Sequence, residues 1–426
     1  MLKVGVISDS HFPNTETIEK NMFNTLSHLK EYGVDLIVFA GDICDQDQKW
    51  TYDMFNDIFE YVFKTDRPQV VAVMGNHDYW FSDHKADIHA VEYFKKAFCV
   101  DDINFHVVKD GFHFIGVTSD PYFVGDKFNT PEGELTCHKG NYDYIKNWLK
   151  NQIKIAEDDN PDIPIFVISH FPPKNTLPGS YVKDNGNEDL YECFKDHPQI
   201  ISLSGHTHFS LADEKSIHQR DFTSVNTGSL HCVCCTIIEK PDKNGALDEC
   251  IDLERLPGDA YRRFPSYLIM DVWDKKVVFH RFFANGGVCG KDWLVEFPAA
   301  KRNFIYTDKR FELSVAPYFT HNDTLKVYNL KHKNNLHNNN LIYLVVKIPE
   351  YDGRIVGFKY IIKNNSGFIK EGYSYAEIDE YIDAPKVFHT MMFTDLPEGA
   401  LSFTVYAVES FGKLSSNCLT ATLIID

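Results

Sequence analysis

Through the first 235 residues, short apolar runs alternate with stretches of helical periodicity. Residues 3–7, 35–40, 69–74, 163–168 and 199–203 are rich in Val and Ile and have the length of strands. Between the first two runs, Ile18, Met22, Leu26 and Leu29 recur at helical spacing before Gly33, which stands where a helix-terminating glycine belongs. Met54, Ile58 and Val62 repeat the pattern, as do Ile145, Trp148, Leu149 and Ile153. Alternating strands and helices predict βαβ units around a largely buried, doubly wound α/β sheet.

After Thr207 the period changes. Val225 and residues 232–238, 266–272 and 276–283 read as strands joined by turns, and Trp273-Asp274-Lys275-Lys276 closes a hairpin between 267–272 and 277–282. Residues 239–264 are polar and form an inserted loop, whose Arg255, Arg262 and Arg263 read as solvated surface. From about residue 311 the pattern is all-β. Six runs, 342–348, 355–362, 368–375, 387–393, 401–408 and 418–425, are separated by turn-rich pieces and predict a β-sandwich of about 115 residues. The expected domains are 1–305 and 306–426, with the Asn-rich stretch 334–340 as a loop inside the second.

Composition narrows the function. The 426 residues carry a formal net charge of −18. From Lys309 onward there are 12 basic and 13 acidic residues, so nearly all the excess negative charge lies upstream. Such a field repels nucleic-acid backbones and anionic membranes, and bound multivalent cations would offset part of it. No run approaches the ~18 to 20 apolar residues that span a bilayer. Ten cysteines are scattered along the chain, so the expectation is reduced thiols and a cytoplasmic location.

Five polar motifs each follow a predicted strand: Asp9-Ser10-His11, Gly41-Asp42, Gly75-Asn76-His77-Asp78, Ser169-His170 and Gly205-His206-Thr207-His208. Loops beyond the carboxyl ends of strands in an α/β sheet converge in one crevice, so distant clusters can meet. Singly each motif is weak; Asp87-Ile88-His89 repeats Asp-x-His as an ordinary exposed pair. Together, Asp9, His11, Asp42, Asn76, His170, His206 and His208 offer imidazole nitrogens and oxygens without thiolate, which suits Mn, Fe, Zn or Co. Seven donors are too many for one tetrahedral ion and about right for two sharing a bridging carboxylate. Alternate residues on an extended segment would turn both side chains towards one ion. Two ions ~3.5 to 4 Å apart bind a phosphoryl oxygen together with a hydroxide nucleophile, the apparatus of phosphate-ester hydrolysis.

The ordered series resembles the signature of the calcineurin-like metallophosphoesterases, over roughly residues 1–300. The resemblance implies a four-layer α/β/β/α sandwich, the later strands supplying a second sheet. It also implies that Asp9, His11, Asp42 and His208 hold one metal, and Asp42, Asn76, His170 and His206 a second. His77 would face the leaving-group oxygen with Asp78 orienting its ring. The substrate class that follows is a small phosphodiester, cyclic-nucleotide-like, or a phosphomonoester. The competing class is a scaffold that keeps the fold and uses metals structurally.

Other candidates have plainer readings. His28, His84 and His113 read as surface or packing residues, and Cys44 as packing. Cys232-Val233-Cys234-Cys235 alternates faces on a strand and offers no zinc site. Phe12, Tyr79, Trp80, Phe171 and Phe209 follow the motifs and either pack the loops or stack on a base. The C-terminal part resembles a fibronectin type III or immunoglobulin-like module, with Phe403 where a corner tyrosine is usual. It carries no catalytic constellation, and a protein contact is the role expected of it.

Overall fold

A computed structural model of the chain describes residues 1–12, 16–45, 48–79, 89–120, 140–181, 185–233, 236–241, 247–252, 265–331, 340–351, 354–376 and 388–425. Trp80, His84, Cys234, Cys235, the three arginines of the inserted loop and residues 334–339 lie outside them. The chain divides into two compact units: Met1–Cys234 with Pro241–Asp248 and Tyr261–Asp308, and Lys309–Asp426 with Cys235–Lys240 and Glu249–Ala260.

The first unit opens as a βαβαβ run: β1 (Leu2–Ile7), α1 (Glu16–Tyr32), β2 (Leu36–Ala40), α2 (Gln48–Phe63) and β3 (Gln69–Val73), then α3 (Ala90–Phe98). Helix α1 buries Ile18, Met22, Thr25, Leu26 and Leu29, the i, i+4, i+7 stripe of an amphipathic helix. Each of the apolar side chains Ile18, Met22, Leu26 and Leu29 removed from water contributes about 1.5–3 kcal/mol. Gly33, at φ 75°, ends the helix, and its N–H donates to Leu29 and Lys30 carbonyls.

Next come β4 (Phe105–Lys109), β5 (Phe112–Val117), α4 (Lys146–Asp159), β6 (Ile165–Ser169), α5 (Glu188–Phe194), β7 (Ile200–Ser204), β8 (Ile217–Gln219) and β9 (Thr223–Asn226). A two-stranded ladder, β10 (Thr236–Pro241) with β11 (Leu247–Asp252), precedes β12 (Ser266–Trp273), β13 (Lys276–Phe283) and β14 (Trp293–Glu296). Strands β12 and β13 form the expected hairpin, with Trp273 opposite Lys276.

Two six-stranded sheets result, ordered β14-β13-β12-β1-β2-β3 and β4-β5-β6-β7-β9-β8. This partition differs from the sequence expectation. The strands β12–β14 do not build a second sheet; β12 pairs antiparallel with β1, Leu2 opposite Val272, and extends the first. The second sheet is β4–β9; of its parallel strands, β6 and β7 were expected to continue the first, β9 was read among the later strands, and β5 was not anticipated. Apolar runs buried on both faces look alike in either sheet, so periodicity cannot assign partners.

The layers are helix, sheet, sheet, helix. One face of the first sheet (Ile7, Ile37, Phe39, Ile269) packs under α1–α3 through Met22, Leu26, Phe55, Phe59 and Phe94. One face of the second (Ile115, Val117, Ile165, Val167, Ile200) packs against Leu149, Ile153 and Leu190 of α4 and α5. The opposite faces, including Val4, Val6, Val38, Met270, Phe166, Ile168 and Leu203, are also fully buried. No described helix is long and apolar enough to cross a membrane.

The second unit is an all-β sandwich. Strands β15 (Leu325–Lys331), β16 (Asn340–Lys347), β17 (Ile355–Asn364), β18 (Ile369–Tyr375), β19 (Phe388–Phe393), β20 (Gly399–Glu409) and β21 (Leu419–Ile425) form sheets β15-β16-β19 and β18-β17-β20-β21. Ile342, Leu344 and Val346 of one meet Phe358, Tyr360, Ile362, Phe403 and Val405 of the other in a single core.

Candidate metal centre

Strands β1, β2 and β3 of the first sheet and β6 and β7 of the second deliver the five motifs to one place. Backbone bonds stitch the loops together. Asp9 N donates to Gly41 O and His11 N to Asp42 O, both at 3.0 Å, and Gly205 N donates to His170 O at 3.1 Å. Asp9, His11, Asp42, His206 and His208 all have left-handed backbones, φ 44–66°. The Asp-x-His and His-x-His pairs therefore do not converge by extended alternation, as the sequence suggested. Single left-handed residues, rare without glycine, fold each loop back on itself so that both side chains face inward.

The donor atoms fall into two sets sharing Asp42. Asp9, His11, Asp42 and His208 offer atoms within 4.8 Å of one another, and so do Asp42, His170 and His206. In the first set His11 Nε2 lies 3.1 Å from His208 Nε2, which lies 3.1 Å from Asp9 Oδ1. In the second, His170 Nε2 is 3.1 Å from Asp42 Oδ2, 3.0 Å from Asn76 Oδ1 and 3.2 Å from His206 Nδ1. Asp9, Asp42 and His170 are wholly or almost wholly buried.

The far nitrogens of three rings are anchored. His11 Nδ1 meets Asp45 Oδ1 at 3.2 Å, His170 Nδ1 meets Ala40 O at 3.0 Å, and His208 Nδ1 meets Cys232 O at 3.1 Å. Each anchor is an acceptor, so it selects the tautomer with Nδ1–H and leaves the Nε2 lone pair facing the pocket. Lone pairs 3.1 Å apart repel unless a cation or proton lies between them. Carboxylate and imidazole donors without sulfur fit a pair of borderline or hard cations.

Charges in the pocket tell the same story. Burial alone would raise the Asp42 carboxyl, but the His170 and His77 rings hold it well below the ordinary range. Burial would lower His170, yet Asp42 lifts it to about 9. Burial and His170 push His206 well down, and burial lowers His11.

His77 and Asp78 sit on a short turn after β3. The His77 N–H donates to Asp42 Oδ1 at 2.8 Å, and its ring stands 4.4 Å from that of His11. Its Nδ1 lies 3.0 Å from Asp45 Oδ1. Asp78, expected to orient that ring, instead accepts from Gly75 N (2.8 Å), Cys44 N (2.9 Å), Ile43 N (3.3 Å) and Tyr52 OH (3.1 Å). A fully buried carboxylate goes to the nearest orphaned N–H groups, here those of the loops after β2 and β3. Asp45 takes over the orienting position.

Glycines make room for this packing. A Cβ on Gly75 would fall 2.5 Å from Asp42 N and 2.8 Å from its Cγ; one on Gly41, φ 90°, would fall 2.5 Å from His170 Nδ1. Phe12, Tyr79, Phe171 and Phe209 are buried and pack the loops.

A family profile for calcineurin-like phosphoesterases matches residues 2–210. The chain carries a calcineurin-like phosphoesterase domain. Over 166 residues it is 26% identical to the cyclic GMP-AMP phosphodiesterase SMPDL3A of Bos taurus, a match covering 34% of this chain and 36% of that relative. The chain thus spans about a third of the length of that curated protein. Among solved structures it is similar to a dimetal phosphatase from Danio rerio, with 11% identity and TM-score 0.46, covering 69% of this chain and 98% of that one. It is also similar to GAP50, the anchor in the inner membrane complex of Plasmodium, with 14% identity and TM-score 0.45, covering 72% and 91%.

Two residues at the pocket escaped the sequence reading. Asp45 lies three positions beyond Asp42 in the same loop, where a carboxylate near a motif histidine was a usable signal. His231 follows β9, the last parallel strand of the second sheet, and so obeys the same strand-end rule as the motifs. Its ring centroid is 4.9 Å from that of His11. Burial and the His11 and His208 rings push it down to about 3.

Proposed function

We propose that the chain is a phosphoesterase depending on two metal ions, Mn, Fe or Zn, and acting on a small phosphate ester. Asp9, His11, Asp42 and His208 would hold one ion, and Asp42, Asn76, His170 and His206 the other, Asp42 serving both. The observation that carries this reading is the anchoring of His11, His170 and His208, whose outer nitrogens rest on acceptors while the inner ones converge. When bound, such ions polarise phosphoryl oxygens and lower the pKa of water, supplying the nucleophile.

The remaining chemistry belongs to the chain. Burial would lower His77, but Asp42 and Asp45 raise it above its ordinary 6.5. A protonated imidazole at the pocket edge, oriented by Asp45, suits donation to a leaving-group oxygen. Asp78 supports by tying the two loops together.

For the substrate we favour a small phosphodiester of cyclic-nucleotide type, or a phosphomonoester. Support comes from the acidic charge, which disfavours long nucleic acid, and from the partial likeness to a cyclic dinucleotide phosphodiesterase. A screen of mono-, di- and pyrophosphate esters with added Mn²⁺ tests this. Turnover lost in Asp42→Ala and in Asn76→Ala is expected; full metal-dependent turnover in both variants refutes the assignment. Ions bound with silence across the panel would favour the scaffold reading.

We also assign 1–305 as the catalytic domain and 306–426 as a fibronectin type III or immunoglobulin-like domain serving protein contact. The support is its two-sheet core. Limited proteolysis of the full chain should yield two stable fragments; a single resistant species counts against that division. A cytoplasmic location is the reading we favour, and Cys44, Cys99, Cys193 and Cys418 stand outside any disulfide. Recovery of the tagged protein from a secreted fraction would overturn it.

A further inference from the structure

We propose that His231 is a further protein ligand of the ion assigned to Asp9, His11, Asp42 and His208, an inference that rests on the two-ion reading above. One nitrogen of His231 lies within 4.8 Å of ring nitrogens of both His11 and His208. Nitrogen ligands sit ~2.0–2.1 Å from such ions, so three rings at this spacing close onto one centre with small side-chain adjustments.

The backbone around His231 is built against this half of the pocket. Leu230 N donates to Ser8 O at 3.2 Å, and His231 N to Asp9 O at 3.1 Å. The Ser229 hydroxyl donates to the same Asp9 carbonyl at 3.0 Å and accepts from His231 N and Cys232 N at 3.1 and 3.2 Å. One residue later, the Cys232 carbonyl and Sγ both lie 3.1 Å from His208 Nδ1. Residues 229–232 thus grip the segments of two ligands of one ion and hold the His231 ring between them. Nothing comparable binds this segment to Asn76, His170 or His206 among the described hydrogen bonds.

Three imidazoles and two carboxylates make a five-donor set. Such a set favours the higher coordination numbers of Mn²⁺ or Fe²⁺ over a closed tetrahedral Zn²⁺ site. It also predicts unequal ions, the one on the His231 side having one more protein donor than its neighbour.

The test is calorimetric titration of the chelator-stripped full chain with Mn²⁺. The wild type should bind two ions. In His231→Ala, one of the two binding events should weaken at least tenfold while the other keeps its affinity. His231→Asp, which supplies a carboxylate donor in place of the imidazole, should recover part of the loss. His231→Gln should reproduce it with less change of volume, guarding against misfolding, which circular dichroism of each stripped variant monitors. Two ions bound by folded His231→Ala with wild-type affinities overturn the assignment. In that case a raised KM for an aryl phosphate would make His231 a substrate contact instead. A wild-type chain that takes up fewer than two ions overturns both this inference and the two-ion reading, so the two failures are told apart.

Discussion

The His77 imidazole places Nδ1 3.0 Å from Asp45 Oδ1, and the same oxygen lies 3.2 Å from His11 Nδ1. One carboxylate therefore braces two rings with different tasks. Burial would raise Asp45, but the two histidines hold it well below the ordinary range, so it is ionised throughout neutral pH. Asp45→Asn should lower kcat about 10- to 100-fold and weaken one ion, the usual effect of removing a carboxylate behind an imidazole. Steady-state kinetics at saturating Mn²⁺, with a parallel metal titration, check it; unchanged kcat and unchanged affinity contradict it.

Gly75→Ala should leave the chain folded but distort the candidate metal centre. The residue has no left-handed backbone, so the penalty is steric: the new Cβ meets Asp42 N and Cγ. Overpacking of this kind costs about 1–3 kcal/mol. Reduced Mn²⁺ binding in a chain whose circular dichroism matches that of the wild type is the expected result.

Asp78→Ala should destabilise rather than merely inactivate. Its carboxylate accepts from three backbone N–H groups and Tyr52, all buried, and burial together with Asp42 raises it to about 6. Orphaning buried donors costs about 1–3 kcal/mol each, only part of which water recovers. Urea denaturation should show a loss of several kcal/mol, well beyond that of Asp45→Asn.

Metal loading should stabilise the first unit. Ligand present at 100 times its Kd contributes about 2.7 kcal/mol per site, provided the unfolded chain does not bind it. Thermal unfolding with Mn²⁺ should therefore occur at a higher midpoint than in EDTA. Asp42→Ala should abolish most of the difference, since that residue serves both donor sets.

Far from the pocket, Asp221 offers a pH test. Burial would raise it, but Lys301 and Tyr191 hold it below its ordinary 3.8. Its Oδ1 is 2.5 Å from Lys301 Nζ. Because the folded carboxyl ionises at lower pH than the unfolded one, its contribution is complete above about pH 4 and is lost as pH falls through the folded value. Asp221→Asn should reduce stability at pH 7 and flatten the acid limb of the stability profile. An identical profile for variant and wild type would remove this ion pair from the account.

Sequence alone picked out the five motifs that the fold brings together and many of the segments that form strands. The five motifs follow strands because a parallel strand must end where its backbone groups need new partners, and polar residues there meet at the carboxyl edge. Helix α1 was equally legible, since its buried stripe and capping glycine are local properties. Pairing was not. The association of β12 with β1, rather than with the strands just before it, depends on contacts across more than 250 residues that period-2 patterns do not encode. Nor could spacing show that Asp45, not Asp78, reaches His77, or that His231 joins the pocket. Those outcomes follow from left-handed turns at Asp9, His11, Asp42, His206 and His208 and from buried N–H groups claiming the nearest carboxylate. Both are decided by the closeness of two sheets, which exists only in the folded chain.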